Sequence, residues 1–259
     1  MTHPAPFDIC GRVALVTGAG GGLGSEFARA LAEAGASVAC ADLDGPAAER
    51  VAEQVRATGG EARAFRVDVT DEQDVTHLLD CVVSGLGGLD VLVNNAGIGD
   101  PRVVPLHRVR TDDWRRVLSV DLDGVFLCMR AALGVMVPRR QGKIINVASM
   151  YGLHGSRIAP IAGYSAAKGA VVNLTREVGL QYAALGIQVN ALCPGFVRTG
   201  LSGGVYDDPV FVERLEAEVP MGRIAEPGEL RGALLFLASA ASDYMTGQAL
   251  VIDGGVGAG

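Results

Sequence analysis

Short β-branched runs alternate along the chain with longer stretches of helical period. Val13–Thr17, Ser37–Asp42, Arg63–Val69, Val91–Asn94, Lys143–Ala148, Gln188–Cys193 and Ala249–Asp253 read as strands, each a mostly apolar run bounded by turn formers. Between them, Phe27–Ala34, Gly45–Thr58, Asp71–Val83, Asp112–Met136, Ser165–Ala184 and Gly228–Ala238 repeat apolar positions at intervals of three and four, the signature of a helix with one buried face. A strand reaches a parallel neighbour only through a crossover, so this alternation predicts an α/β fold: a doubly wound parallel sheet of about seven strands with helices on both faces. No composition shift, Ser/Pro-rich linker or fixed-period repeat interrupts the chain, which is expected to form a single domain over 1–259. The least patterned stretch, 198–221, carries Gly200, Gly203, Gly204, Pro209 and Pro220 among apolar residues and is expected to be a flexible substrate lid.

Composition narrows the chemistry. The 259 residues are 49% hydrophobic and 20% charged, ordinary for a folded protein, but 36 are glycine, about twice average usage. Such a chain contains many tight turns or close backbone approaches to a ligand. The net charge of −7 opposes binding to phosphate backbones or anionic membranes, so nucleic acid and membrane are not expected partners. Cys10, Cys40, Cys81, Cys128 and Cys193 are odd in number and form no Cys-x-x-Cys pair, which reads as reduced thiols. His3, His77, His107 and His154 make no His-x-x-x-His spacing, so no catalytic metal is expected. The first residues show neither a basic nor an apolar leader, and a cytoplasmic protein is expected.

The first strand runs into Thr17-Gly18-Ala19-Gly20-Gly21-Gly22-Leu23-Gly24 and then a helix starting near Ser25. Unpaired N–H groups at a helix start favour an anion, and glycines let a pyrophosphate approach the main chain. The spacing is Thr-Gly-x-x-x-Gly-x-Gly rather than Gly-x-Gly-x-x-Gly. In this the sequence resembles the cofactor turn of the short-chain dehydrogenase/reductase (SDR) family, in its single-domain, Rossmann-type subfamily, and the resemblance extends over almost the whole chain. Asp42 ends the second strand twenty residues after Gly22, where an acid accepts hydrogen bonds from a ribose 2′-hydroxyl and repels a 2′-phosphate. Neither Gly21 nor Leu43 is basic, so the expected cofactor is NAD. Helix capping would also explain an acid here, but Asp44 before Gly45-Pro46 suits that role better.

Three further matches extend the resemblance. Asp68-Val69 closes the third strand, where relatives place an acid and an apolar residue beside adenine. Asn94-Asn95-Ala96-Gly97 closes the fourth, and Pro194-Gly195-Phe196-Val197-Arg198-Thr199 follows the sixth. Each alone is a plausible turn; together, at the ends of successive parallel strands, they outline one crevice. The residues expected to bind cofactor are thus Gly18, Gly20, Gly21, Gly22, Leu23, Gly24, Asp42, Leu43, Asp68, Val69, Asn95, Ala96, Gly97, Tyr164, Lys168, Pro194, Gly195, Val197 and Thr199.

Tyr164 and Lys168 are four apart on a helix whose apolar stripe is Ala167, Val171, Leu174 and Val178, so both share one face. A phenol of pKa about 10 needs roughly 4 kcal/mol of preferential phenolate stabilisation to act as a base near neutral pH. An adjacent ammonium and an oxidised nicotinamide are the expected sources. Lys143 and Lys168 are the only lysines, so a chance Tyr-x-x-x-Lys has a probability of about 4%. The resemblance makes Ser149, at the end of the fifth strand, the hydroxyl that orients the substrate oxygen. Relatives carry asparagine where this chain has Asp121, and that asparagine holds a water linking the lysine to solvent. A carboxylate accepts but cannot donate, and it competes for the lysine's charge. Asp121 is therefore expected to keep the relay with an altered pH optimum.

The expected activity is hydride transfer between NAD(H) and the carbinol or carbonyl carbon of a small secondary alcohol or ketone. The alternative is a catalytically weak NAD-binding sensor or scaffold of the same fold. An epimerase of the extended family is disfavoured by the glycine spacing and the lack of a sizeable C-terminal domain. Met150, Tyr151, Leu201, Val205, Tyr206 and Phe211 suggest a moderately apolar pocket, while Arg157 and Arg198 leave an anionic substrate group open. The resemblance further implies a homotetramer, paired through the helices of Asp121 and Tyr164 and through the last strand.

Overall fold

The computed structural model describes residues 7–200, 206 and 208–258. Seven parallel strands, β1 (Val13–Thr17), β2 (Ser37–Asp42), β3 (Ala62–Arg66), β4 (Val91–Asn94), β5 (Gly142–Val147), β6 (Ile187–Pro194) and β7 (Ala249–Ile252), lie in the order β3-β2-β1-β4-β5-β6-β7. Side chains alternate across each strand, so Val13 and Leu15 enter the core on one face of the sheet and Ala14 and Val16 the other. The first face is covered by α3 (Glu72–Leu86), α5 (Gly124–Arg139) and α6 (Ala162–Tyr182), through Leu78, Leu79, Met129, Ala132, Val171 and Val178. The second is covered by α1 (Gly22–Glu33), α2 (Gly45–Ala57) and α8 (Arg231–Ala238), through Phe27, Leu31, Val51, Val55, Leu234 and Leu237. Both faces are dry, which is why the strands read as continuous apolar runs.

The chain leaves β1 toward β2 and β4 toward β5, in opposite directions along the sheet, and the carboxyl ends of this adjacent pair therefore frame a crevice between diverging crossovers. Glycine-rich backbone enters it after β1 and the Asn95 loop after β4.

Three expectations are revised. The third strand does not reach Val69; it ends at Arg66 because Asp68 turns its carboxylate onto the Thr70 N–H (2.9 Å) and hydroxyl (2.7 Å), a local bond that competes with the ladder. The long helix expected over Asp112–Met136 is instead α4 (Thr111–Leu118), a π-helical turn over Ser119–Asp123, and α5. One extra residue in that turn rotates the side chains after it, and Asp121 lies on it with no exposed surface. The stretch read as lid contains a helix the apolar pattern did not reveal, α7 (Pro209–Glu218), started by Asp208, which accepts the Val210 N–H at 3.0 Å. Leu201, Gly203, Gly204 and Val205 of that stretch, and His3, lie outside the described residues. Among the described residues no helix is long and apolar enough to cross a membrane.

Candidate active site

The turn after β1 is built from close backbone approaches. A Cβ on Gly18 would come within 2.8 Å of the Ala96 Cα, one on Gly20 within 2.9 Å of the Asp42 carboxylate, and one on Gly24 would run into the Gly18 carbonyl. Gly18 and Gly22 also have φ of 65° and 52°, which favour glycine. Gly21 differs: its backbone is extended and a Cβ there would meet nothing, so packing within the chain does not require glycine. No side chain caps α1, whereas Asp44, Asp71 and Asp208 cap α2, α3 and α7. An uncapped helix start behind a turn too tight for side chains fits the pyrophosphate of a dinucleotide.

Side chains lace this turn to its neighbours. Thr17 Oγ1 accepts the N–H groups of Asn95 and Ala96, both at 3.1 Å, and the Asn95 amide donates to the Thr17 and Gly18 carbonyls at 3.0 and 3.2 Å. Asp42 accepts the Gly20 N–H at 2.8 Å on one carboxylate oxygen and the Asp44 N–H at 2.9 Å on the other, so the acid that ends β2 faces the glycine turn. Leu43 beside it is 58% exposed. Val69 is buried against Gly124, and Asp68 is partly buried with its pKa held low by the Thr70 hydroxyl and N–H. After β6, Gly195 donates to the Ile252 carbonyl at 2.9 Å, Val197 bridges Ala225, and Thr199 crosses to lie beside Gly22, 3.5 Å from where its Cβ would be. Strand ends far apart in sequence thus line one crevice, with Leu23 part-buried at its helix start.

The chemical groups converge at the other end of the crevice. Ser149, 6% exposed, follows β5 and starts a short 3₁₀ turn by accepting the Tyr151 N–H at 3.1 Å. Tyr164 and Lys168 lie on the first turns of α6, and the Lys168 Nζ sits 5.5 Å from the Tyr164 ring centre. Lys168, 3% exposed, donates to the Val147 carbonyl at 3.1 Å and pairs with Asp121 Oδ2 at 3.2 Å. Asp121 Oδ1 accepts the Ile98 N–H at 2.7 Å. Gly97 fits between the two charges, where a Cβ would be 3.1 Å from Asp121 Oδ2 and 3.3 Å from Lys168 Nζ.

Burial opposes the charge on Lys168, but the negative charges of Asp121 and Tyr164 outweigh it and hold its pKa above the ordinary value. Burial likewise pushes the Asp121 carboxyl up, against the pull of Lys168 and the Ile98 N–H. For Tyr164, burial raises the phenol, Lys168 lowers it, Asp121 raises it and the Ser149 hydroxyl lowers it; the net direction is up. Lys168 thus acts in the sense its spacing predicts, but Asp121 cancels part of its field, and without a further positive charge the phenol keeps its proton. Burial also pushes the nearby Cys193 thiol up to about 11, which leaves it neutral and unreactive.

The Asn94–Asn146–Thr175 ladder and the contact of Asp100 with Tyr164 escaped the sequence reading. Asn94 and Asn146 are buried on adjacent strands, with the Asn94 amide donating to Asn146 Oδ1 at 2.9 Å and the Asn146 amide to Thr175 Oγ1 on α6 at 2.9 Å. A polar residue at the buried end of an apolar strand was the available signal. Asp100, in the loop after β4, accepts the Tyr164 N–H at 3.0 Å and carried no signal of its own. Tyr151 meets His154 edge-on at 5.8 Å and Phe196 at 6.1 Å, an aromatic cluster beside Ser149.

Removing the Asp121 carboxylate would leave the Lys168 ammonium buried beside one carbonyl and the Ile98 N–H without its acceptor. Asp121→Ala is expected to lower unfolding free energy by about 3–5 kcal/mol in a urea titration. Asp121→Asn, which keeps an acceptor for Ile98, is expected to cost less.

With this geometry in place, comparison with known proteins gives a consistent result. A family model described as enoyl-(acyl carrier protein) reductase matches residues 18–257. The chain is 45% identical to cis-4-hydroxycyclohexanecarboxylate dehydrogenase of Sinomonas cyclohexanicum, over 94% of this chain and 96% of that protein. Among solved structures, a short-chain type dehydrogenase/reductase from Mycobacterium marinum superposes with a TM-score of 0.93 at 40% identity, covering 97% of each chain. A gluconate 5-dehydrogenase from Burkholderia cenocepacia J2315, in complex with NADP and tartrate, superposes with a TM-score of 0.93 at 40% identity, covering 98% of each. The strand order, the glycine turn after β1 and the relatives matched along nearly their full length agree, and the chain belongs to the short-chain dehydrogenase/reductase family.

Proposed function

We propose that this oxidoreductase moves a hydride between NAD(H) and the carbinol or carbonyl carbon of a small secondary alcohol or ketone, with Tyr164 as its acid and base. The observation that carries this reading is the convergence of Ser149, Tyr164 and the buried Lys168–Asp121 pair at the carboxyl ends of β4 and β5. When bound, the nicotinamide supplies or accepts the hydride and, in its oxidised form, places a positive charge in the site. The Gly18–Gly24 turn would hold the pyrophosphate, Asp42 the adenosine ribose, Asn95 and Thr199 the middle of the crevice, and Lys168 the nicotinamide ribose. Ser149 donates to a substrate carbonyl or accepts from an alcohol and so orients the reacting oxygen over the Tyr164 hydroxyl. Tyr164 takes the alcohol proton during oxidation and returns it during reduction. Lys168 keeps its charge through Asp121 and biases the phenol toward phenolate.

Preference for NAD rests on Asp42, whose carboxylate faces the glycine turn and would repel a 2′-phosphate. Arg66, its partner across the β2–β3 ladder, lies 3.8 Å from Asp74. The gluconate 5-dehydrogenase neighbour was solved with NADP, so the acid and its surroundings are the feature to test. The relatives named for cis-4-hydroxycyclohexanecarboxylate and gluconate support ring and chain secondary alcohols as the substrate class we assign.

Tyr164→Phe is expected to abolish NADH formation from cis-4-hydroxycyclohexanecarboxylate, D-gluconate and meso-2,3-butanediol while leaving NADH binding, read by fluorescence, within about twofold. Undiminished turnover would overturn the assignment, and no turnover of any secondary alcohol by the native protein would favour the sensor reading. Asp42→Asn keeps an acceptor for Gly20 and removes the charge; the ratio of kcat/KM for NAD over NADP is expected to fall by about tenfold, equivalent to about 1.4 kcal/mol. The phenol of Tyr164 faces Lys168 on α6, Asp121 on the π-helical turn, Ser149 after β5 and Cys193 on β6. Of these, Asp121 raises its pKa by repelling the phenolate, so neutralising it in Asp121→Asn is expected to move the rise of kcat/KM for alcohol oxidation to lower pH. Superimposable pH profiles would remove this effect.

A further inference from the structure

The helix that carries Tyr164 lacks a cap from its own sequence. Ile161 occupies the N-cap position and has no polar side-chain atom to offer. The missing acceptor arrives from 64 residues earlier, where Asp100 Oδ2 takes the Tyr164 N–H at 3.0 Å. Its other oxygen, Oδ1, packs against Gly163 so closely that a Cβ there would stand 2.6 Å from it. Two residues before Asp100, Ile98 donates its N–H to Asp121, which pairs with Lys168. The loop after β4 is therefore joined to the catalytic helix at two points: directly to the Tyr164 amide, and through Asp121 to the Lys168 amine. Arg102, at the far end of the same loop, donates from Nε to Asp113 at 2.7 Å on α4, which anchors the segment from the other side.

We propose that Asp100 is a positioning residue for Tyr164: its carboxylate replaces a local helix cap, seats the amide of the residue that exchanges the proton, and requires glycine at 163 to do so. The inference rests on the role assigned to Tyr164 above. A cap made to any other N–H of the first turn would stabilise the helix equally, but this one is made to the reacting residue's own backbone. Displacing it moves the phenol relative to Ser149 and the substrate oxygen, and shifts of about 1 Å at a reacting group cost up to about 100-fold in rate.

Four variants separate this from a general structural role: Asp100→Ala, Asp100→Asn, Gly163→Ala and the double variant Asp100→Ala/Gly163→Ala, each assayed beside Tyr164→Phe with NAD and the fastest of the three alcohols named above. Asp100→Ala is expected to lower kcat by about 10- to 100-fold with KM and NADH affinity within about twofold, and Asp100→Asn, which retains the acceptor, to recover most of it. Gly163→Ala is expected to reproduce the loss by pushing the carboxylate off the amide. Because Asp100→Ala empties the space that Cβ needs, the double variant is expected to be no slower than the poorer single one. Additive losses in the double variant, or an unchanged kcat in Asp100→Ala or Gly163→Ala while Tyr164→Phe is inactive, would overturn the proposal and leave the function standing. If Asp100→Ala does not fold, Gly163→Ala decides by itself, since no charge or acceptor is removed. Turnover in Tyr164→Phe would instead overturn the role of Tyr164 and this inference with it.

Discussion

Lys168 is almost wholly buried, and an ammonium in that position needs close acceptors or an opposite charge, since leaving it unpaired in a dry interior is costly. Asp121 meets it at 3.2 Å, and the geometry of the surrounding elements follows from that pairing. The carboxylate is brought inward on a π-helical turn, an arrangement that occurs rarely and mostly as a single turn inside an α-helix. Its second oxygen holds the Ile98 N–H and so fixes the loop after β4, which also carries Asn95 to the glycine turn. One ion pair thereby links the cofactor crevice, the helix of Tyr164 and the ends of two strands.

The same pair sets the electrostatic character of the site. An amide at position 121 would leave the full field of Lys168 acting on the phenol, whereas a carboxylate returns part of it. Tyr164 is consequently held as a neutral phenol. On the role we propose for Tyr164, such a site would couple proton transfer to occupancy by an oxidised nicotinamide, whose positive charge would make the phenol more acidic.

Polar groups are concentrated where the sheet meets the crevice. Along β4, β5 and α6 the buried Asn94, Asn146 and Thr175 bond to one another across three elements, which offsets part of their desolvation, although Asn94 Oδ1 is left without a partner among the described residues, and fixes the strands in register near the site. At the other face of the crevice, Thr17 and Asn95 satisfy the backbone of the glycine turn without occupying the start of α1. The helix start is left open to solvent and to an anion, in contrast to the aspartate-capped starts of α2, α3 and α7.

Periodicity by itself determined the element types and the parallel sheet, since alternation of apolar runs with a 3.6-residue pattern has few other packed solutions. Residue chemistry and the family resemblance at strand ends picked out the glycine turn, Asp42 and the Ser149, Tyr164 and Lys168 set, which the structure brings to one crevice, because each depends on neighbours within a few residues or on the common edge where parallel strands end. Where boundaries moved, a side chain had captured its own backbone, as Asp68 does with Thr70, or Asp208 had started a helix that shows little apolar stripe. Tertiary structure alone decided the inward turn of Asp121, the asparagine ladder and the long-range cap from Asp100. Those depend on bonds between residues tens of positions apart, and no local pattern encodes which distant carboxylate will reach an amide until the sheet has brought the two loops together.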